Sequence, residues 1–140
     1  MHDQTILALD VGEKRIGVAV ADVKLQFPKP LTTLENTDTI WQDLQKIVDE
    51  QQSGLVVVGL PRGLDGQETA QTAYARVFMQ ELRTNLGLPV REQDEAATSV
   101  KAEQELRGRG KPYEKGDIDA LAATYILEDY LQEHGREHGV

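Results

Sequence analysis

The sequence predicts an α/β fold: a five-stranded mixed sheet in the order 3-2-1-4-5 with helices on both faces. Three observations carry that expectation. Two short apolar runs separated by a tight turn open the chain, a wholly apolar run lies near its middle, and helix-spaced segments alternate with strand-like ones from there onward. A hairpin pairs its own strands, and right-handed crossovers then carry the later strands to the far side of the first, which sets the order.

Residues 6–11 read as a buried strand, Gly12-Glu13-Lys14 as a turn, and residues 15–22 as a second strand in which Ile16, Val18 and Val20 alternate with Gly17, Ala19 and Ala21. The pair forms an antiparallel hairpin. Residues 31–34 suit a short third strand, kept at the sheet edge by Pro28 and Pro30, because proline cannot donate to a ladder. Asp38 or Thr39 can cap a helix that gathers Ile40, Trp41, Leu44, Ile47 and Val48 on one face and ends before Gly54. Residues 55–59 are apolar on both alternating faces, as befits a central strand covered on each side and parallel to the first. After a loop at 61–66, Ala70, Ala73, Tyr74, Val77, Phe78 and Leu82 recur at helical spacing, with Gly87 and Pro89 marking the end. Residues 90–93 supply the fifth strand. Thr98 or Ser99 starts a helix to about 106, and residues 118–131 form a last helix of small and apolar residues that packs closely on the sheet.

A chain of 140 residues, 39% hydrophobic, has room for one domain with a real core, spanning 1–140. It has no apolar stretch near the roughly 20 residues a membrane helix needs, and Met1-His2-Asp3-Gln4 lacks a secretory pattern. The absence of cysteine excludes disulfides and thiolate metal sites and fits a cytoplasmic location. A net charge of −9 argues against a surface that grips nucleic acid all over, so a polyanion must meet a local basic patch. Arg107, Arg109, Lys111 and Lys115 outnumber Glu114 in one loop and supply a candidate patch, although by composition alone a solvated connector is the simpler account of them.

Three carboxylates, Asp10, Glu95 and Asp119, lie where strand ends and a helix start converge. Acids drawn together from distant parts of a chain repel unless a cation lies between them, so the cluster reads as a divalent-metal site for Mg²⁺ or Mn²⁺. Ligands bind at the carboxyl ends of strands in open α/β sheets, which is where this topology delivers the three acids. The expected chemistry is two-metal hydrolysis of a phosphodiester. In it Asp10 meets both ions, Glu95 and Asp119 each complete one shell, one ion activates the attacking water and the other stabilises the leaving oxygen. Adjacent residues of a strand face opposite ways, so Asp94 and Glu95 compete for one ligand position. Asp117 and Asp119 share the first helical turn, where Asp117 suits the cap or a supporting contact and Asp119 points to the sheet. Lys14, Arg15, Arg62, Arg107, Arg109 and Lys111 are the candidates to hold a nucleic-acid backbone. The loop at 61–66 presents backbone N–H groups before a helix but lacks the Gly-Lys-Ser/Thr ending of a Walker loop. His134 and His138 have metal-ligand spacing, but Gly135 is expected to break the helix there and leave a frayed tail.

Four stretches taken together resemble the YqgF (RuvX-like) family. They are Leu9-Asp10-Val11-Gly12 with Lys14-Arg15-Ile16-Gly17 through Asp22, Val57-Val58-Gly59-Leu60-Pro61 with Asp65-Gly66, Asp94-Glu95, and residues 117–123. The resemblance covers nearly the whole chain. It implies a ribonuclease H-like fold and a nuclease in 5′-end maturation of pre-16S rRNA in ribosome biogenesis; some members carry the label of Holliday-junction resolvase. It also selects Glu95 over Asp94, places the family's acids at Asp10, Glu95 and Asp119, and makes RNA the expected partner ahead of DNA. Resolution of a four-way junction would call for a dimer, and the sequence fits a monomer or a homodimer. One departure stands out: the family follows its Asp-Glu with arginine, and this chain has Ala96. That loss removes a phosphate or carboxylate partner and leaves room for a binding module that keeps the fold without catalysis.

Overall fold

A computed structural model describes residues 4–63, 65–95 and 98–138, the side chains of 98–100 excepted. Strands β1 (Thr5–Val11), β2 (Arg15–Asp22), β3 (Lys29–Glu35), β4 (Ser53–Pro61) and β5 (Val90–Glu95) form one sheet in the order β3-β2-β1-β4-β5. β1 and β2 are antiparallel, as are β2 and β3, while β1, β4 and β5 run parallel. Helices α1 (Ile40–Gln51), α2 (Ala70–Leu86), α3 (Thr98–Gly108) and α4 (Lys115–His138) complete the fold. This is the mixed α/β architecture expected, with Pro30 on the edge strand at a register shift in the β2–β3 ladder.

Period-two alternation divides the sheet into two unlike faces. Leu7, Leu9, Ile16, Val18, Val20, Val56, Val58 and Leu60 face α1 and α2, where Leu44, Val48, Phe78 and Leu82 close the core. Burying each such side chain contributes roughly 1.5–3 kcal/mol. The opposite face carries Ile6, Ala8, Ala19, Ala21, Leu55 and Val57 against Ala123, Ile126, Leu127 and Tyr130 of α4. Small residues on that face let α4 lie close to the strands, and α3 then packs on the outer side of α4 through Ala102, Leu106, Leu121, Ala122 and Tyr125.

Several local expectations need correction. The buried face of α2 consists of Thr72, Ala75, Phe78, Met79 and Leu82, so the helix is rotated from its expected setting and leaves Ala73 and Val77 outside. Thr69 caps it, with a side chain that accepts from the Thr72 N–H. Thr39 occupies the cap position of α1, but its hydroxyl donates to Asp43 rather than serving the backbone. Gly135 does not break α4. It is buried inside the helix, its carbonyl accepts from Gln26 Nε2 at 2.6 Å, and a β-carbon there would lie 2.6 Å from Gln26 Oε1. His134 and His138 are therefore helical, bonded to Glu137 and to the Tyr130 hydroxyl respectively. The capping of α3 by Thr98 or Ser99 and the substitution at Ala96 lie outside the described side chains.

Candidate active site at the carboxyl ends of the parallel strands

Asp10 follows Ile6 and Ala8 on the α4 face of β1, and both of its neighbours across the sheet on that face are glycines. Gly17 is its register partner on β2, and Gly59 follows the Leu9–Val58 pair on β4. A β-carbon at Gly17 would stand 1.9 Å from the Asp119 carbonyl oxygen, and one at Gly59 would stand 2.4 Å from Ile126 Cδ1. Both glycines are thus sites of close helix approach, Gly59 to the middle of α4 and Gly17 to its first turns, which it brings down beside Asp10. The consequence is electrostatic: burial first, and then the charge of Asp119, push the Asp10 carboxyl up from its ordinary 3.8 to about 7.

Arg15 answers part of that charge. Its Nε donates to Asp119 Oδ2 at 2.6 Å, a contact that also raises the guanidinium's own pKa. A side chain expected to hold nucleic-acid backbone is therefore engaged with an acid of the site.

Glu95 ends β5 on the same α4-facing side, yet its surroundings are different. Burial is the largest cause that lifts its carboxyl to about 9, followed by a hydrogen bond with Asp129, the charge of Asp129 and that of Glu133, with Lys101 acting in the opposite sense. Its Oε1 is buried without a hydrogen-bond partner. The structure therefore brings Asp10 and Asp119 together and sets Glu95 among Asp129 and Glu133. No three His, Asp or Glu side chains among the described residues gather as a metal-holding group. Asp129 and Glu133 were not singled out in the sequence. The available signal was spacing, since Asp119, Ile126 and Glu133 stand seven apart and fall along one stripe of a helix.

The competing acids separate as strand and helix geometry require. Asp94 points away from Glu95 and accepts from Arg62 at 3.0 Å. Asp117 is the third residue of α4, not its cap, and its Oδ2 accepts from the Glu114 N–H at 2.9 Å. Arg62 also lies 3.4 Å from Glu68, which Arg76 holds in turn, so Arg62 sits inside an ion-pair chain on the α2 side. Lys14 is exposed in the hairpin turn, and Lys111 is exposed beyond α3. Arg107 donates to the Tyr113 hydroxyl at 3.3 Å, and Arg109 pairs with Glu105, which also accepts from Tyr125.

Asp10 and Asp119 are oxygen donors of the kind a divalent cation takes, and burial, with the Asp119 charge adding to it, keeps the Asp10 carboxyl protonated up to about pH 7.

A five-stranded mixed sheet in this order, with acids at the ends of its parallel strands and a long helix across them, defines a ribonuclease H-like domain. A RuvX family model, described as Holliday junction resolvase, matches residues 4–133. A Chloroflexus aggregans protein named "Putative pre-16S rRNA nuclease" is 44% identical over 135 residues, covering 94% of this chain and 95% of its own. One of the same name from Pectobacterium carotovorum is 40% identical over 136 residues, covering 94% and 98%. Among solved structures, Thermus thermophilus RuvC aligns with a TM-score of 0.54 at 16% identity over 94% of this chain and 96% of that one, a likeness of fold. The chain belongs to the RuvX (YqgF) family.

Proposed function

We propose that this protein is a metal-dependent endonuclease of the cytoplasm that cleaves RNA in 5′-end maturation of pre-16S rRNA. The observation that carries this reading is the placement of Asp119 beside Asp10 at the carboxyl end of β1, close enough for its charge to raise the Asp10 carboxyl, in a chain of the RuvX family. Asp10, Asp119 and, after rotation, Glu95 would hold Mg²⁺ or Mn²⁺, which supplies an activated water and charge stabilisation at the scissile phosphate. Gly17 and Gly59 fix the helix against the strand so that the two aspartates meet. Arg15 holds Asp119 in place and stands ready to turn to a substrate phosphate, the ligand its guanidinium fork suits. Lys14, Lys111, Arg107 and Arg109 are exposed and would position the backbone without reading sequence, while Arg62 is tied into its ion pairs. No described helix is long and apolar enough to cross a membrane.

The test is to incubate wild type, Asp10→Asn and Asp119→Asn proteins with labelled pre-16S leader, single-stranded RNA and a four-way DNA junction, with Mg²⁺, Mn²⁺ or EDTA. Cleavage of the leader by wild type alone, abolished by EDTA, is the expected result. Preferential cutting of the junction by a dimer would move the assignment to the resolvase activity for which the family model is described. A second reading has its own observation: the Arg15–Asp119 contact already compensates one acid without metal, as a binding module that has lost catalysis would need. Binding of RNA with no cleavage under any metal condition would establish that module instead.

A further inference from the structure

The open edge of the sheet carries a cluster that the proposed site does not use. β5 is the last strand, and beside it α2 and α4 border a cleft of about 450 Å³ lined by Arg76, Arg83, Arg91, His134, Tyr130 and Glu92, among others. Three of the eight arginines of a chain with net charge −9 converge there, against one lining carboxylate. Their side chains are held in place. Arg91 Nη1 donates to the Tyr130 hydroxyl at 3.2 Å and to Glu137 at 3.0 Å. Arg76 reaches Glu92 at 3.1 Å and Glu68 at 3.0 Å. Arg83 Nη2 donates to the Val90 carbonyl at 3.2 Å, and Arg83 makes no ion pair among the described residues.

Ion pairs as exposed as those of Arg76 and Arg91 contribute little, so a phosphate can exchange into them at small cost. Guanidinium forks fixed by neighbours lose little freedom when they bind one, and their planar geometry suits its oxygens. Arg91 also shares a strand and a face with Glu95, four residues further along, or about 13 Å at 3.3 Å per residue. A nucleic-acid strand that left the carboxylate site along β5 would reach this cleft.

We propose that the Arg76–Arg83–Arg91 cleft binds backbone phosphates of the nucleic-acid substrate away from the scissile bond, extending the contact along the β5 edge. This rests on the nuclease reading for its substrate, and the two are separable by experiment. The measurement is binding of labelled single-stranded RNA by fluorescence anisotropy over a range of salt, with Arg83→Glu, Arg91→Glu, the double variant, and the charge-neutral Arg83→Gln/Arg91→Gln pair. Lys46→Glu on α1 is the distant control, and circular dichroism with a thermal melt verifies folding.

The double variants are expected to weaken binding at least tenfold and to flatten the dependence of log affinity on log salt by about 0.7 for each phosphate no longer neutralised. Lys46→Glu leaves both nearly unchanged. Affinity and salt slope unaltered in the folded double variants would overturn the proposal. So would a loss confined to inorganic pyrophosphate binding with RNA affinity intact, which would assign the cleft to a small phosphate compound. If wild type cleaves nothing while the arginine variants still lose RNA affinity, the cleft stands and the nuclease reading falls. If cleavage is robust and the variants bind as wild type does, the cleft falls and the nuclease reading stands.

Discussion

Replacing Asp10 by asparagine should stabilise the metal-free protein, and the pH range of that gain follows from the site. The folded-state carboxyl titrates near 7, against an ordinary value of 3.8. A raised acid binds its proton more tightly in the folded state. Its contribution to stability is therefore complete below about pH 4, falls as pH rises, and is lost once pH passes about 7. At about 1.4 kcal/mol per unit, the difference sets a ceiling of about 4 kcal/mol. Solvent relaxation lowers this, and we expect about 2 kcal/mol at pH 8. For a chain of this size that corresponds to a rise in Tm of roughly 6 °C. The assay is a pair of thermal melts in EDTA at pH 5 and pH 8, wild type against Asp10→Asn, with the excess stability of the variant larger at pH 8. Adding Mn²⁺ at pH 8 should raise the wild type above the variant, because the ion occupies the charge that asparagine lacks. An excess stability of the variant over wild type no larger at pH 8 than at pH 5 would refute the picture of an aspartate held in a repulsive, dehydrated pocket.

Other substitutions probe the supports of the site. Gly17→Ala drives a methyl into the Asp119 carbonyl, where the obstacle is backbone, and should cost about 3 kcal/mol or more in chemical denaturation along with all cleavage. Gly59→Ala meets the flexible tip of Ile126, and combining it with Ile126→Val should recover part of its smaller loss, which a double-mutant cycle reads directly. Arg15→Gln leaves a half-buried carboxylate without its partner and should lower the melting temperature in EDTA, a deficit that Mn²⁺ reduces in the same melt. Gly87→Ala, at φ +66° with open space around it, should cost about 1 kcal/mol from backbone strain alone and leave RNA cleavage untouched.

The strands were legible because alternation of Ile16, Val18 and Val20 with Gly17, Ala19 and Ala21 states both the element and its two faces. Strand order followed from hairpin pairing and crossover handedness. The setting of α2 was harder to read, since Val77 is apolar enough to mimic a core position while Thr72, which is buried, donates to the Pro61 carbonyl. Gly135 misled for a related reason: its helix-breaking tendency is local, whereas the contact with Gln26 that makes a bare α-carbon useful comes from a residue 109 positions away. At the candidate site, positions were readable and partners were not. Strand ends located Asp10 and Glu95 and a helix start located Asp119, but Arg15 joining Asp119 and Glu95 turning to Asp129 depend on how the helix sits on the sheet.

The last helix touches every strand of the sheet, from β3 to β5. Because it also carries Asp119 and Asp129, it acts as a keystone. It has little means of peeling away to admit a substrate while the rest of the molecule stays folded. Amide protons in its central turns should exchange at the rate of global unfolding, so entry and exit of nucleic acid are left to the hairpin turn and the loops at the rim.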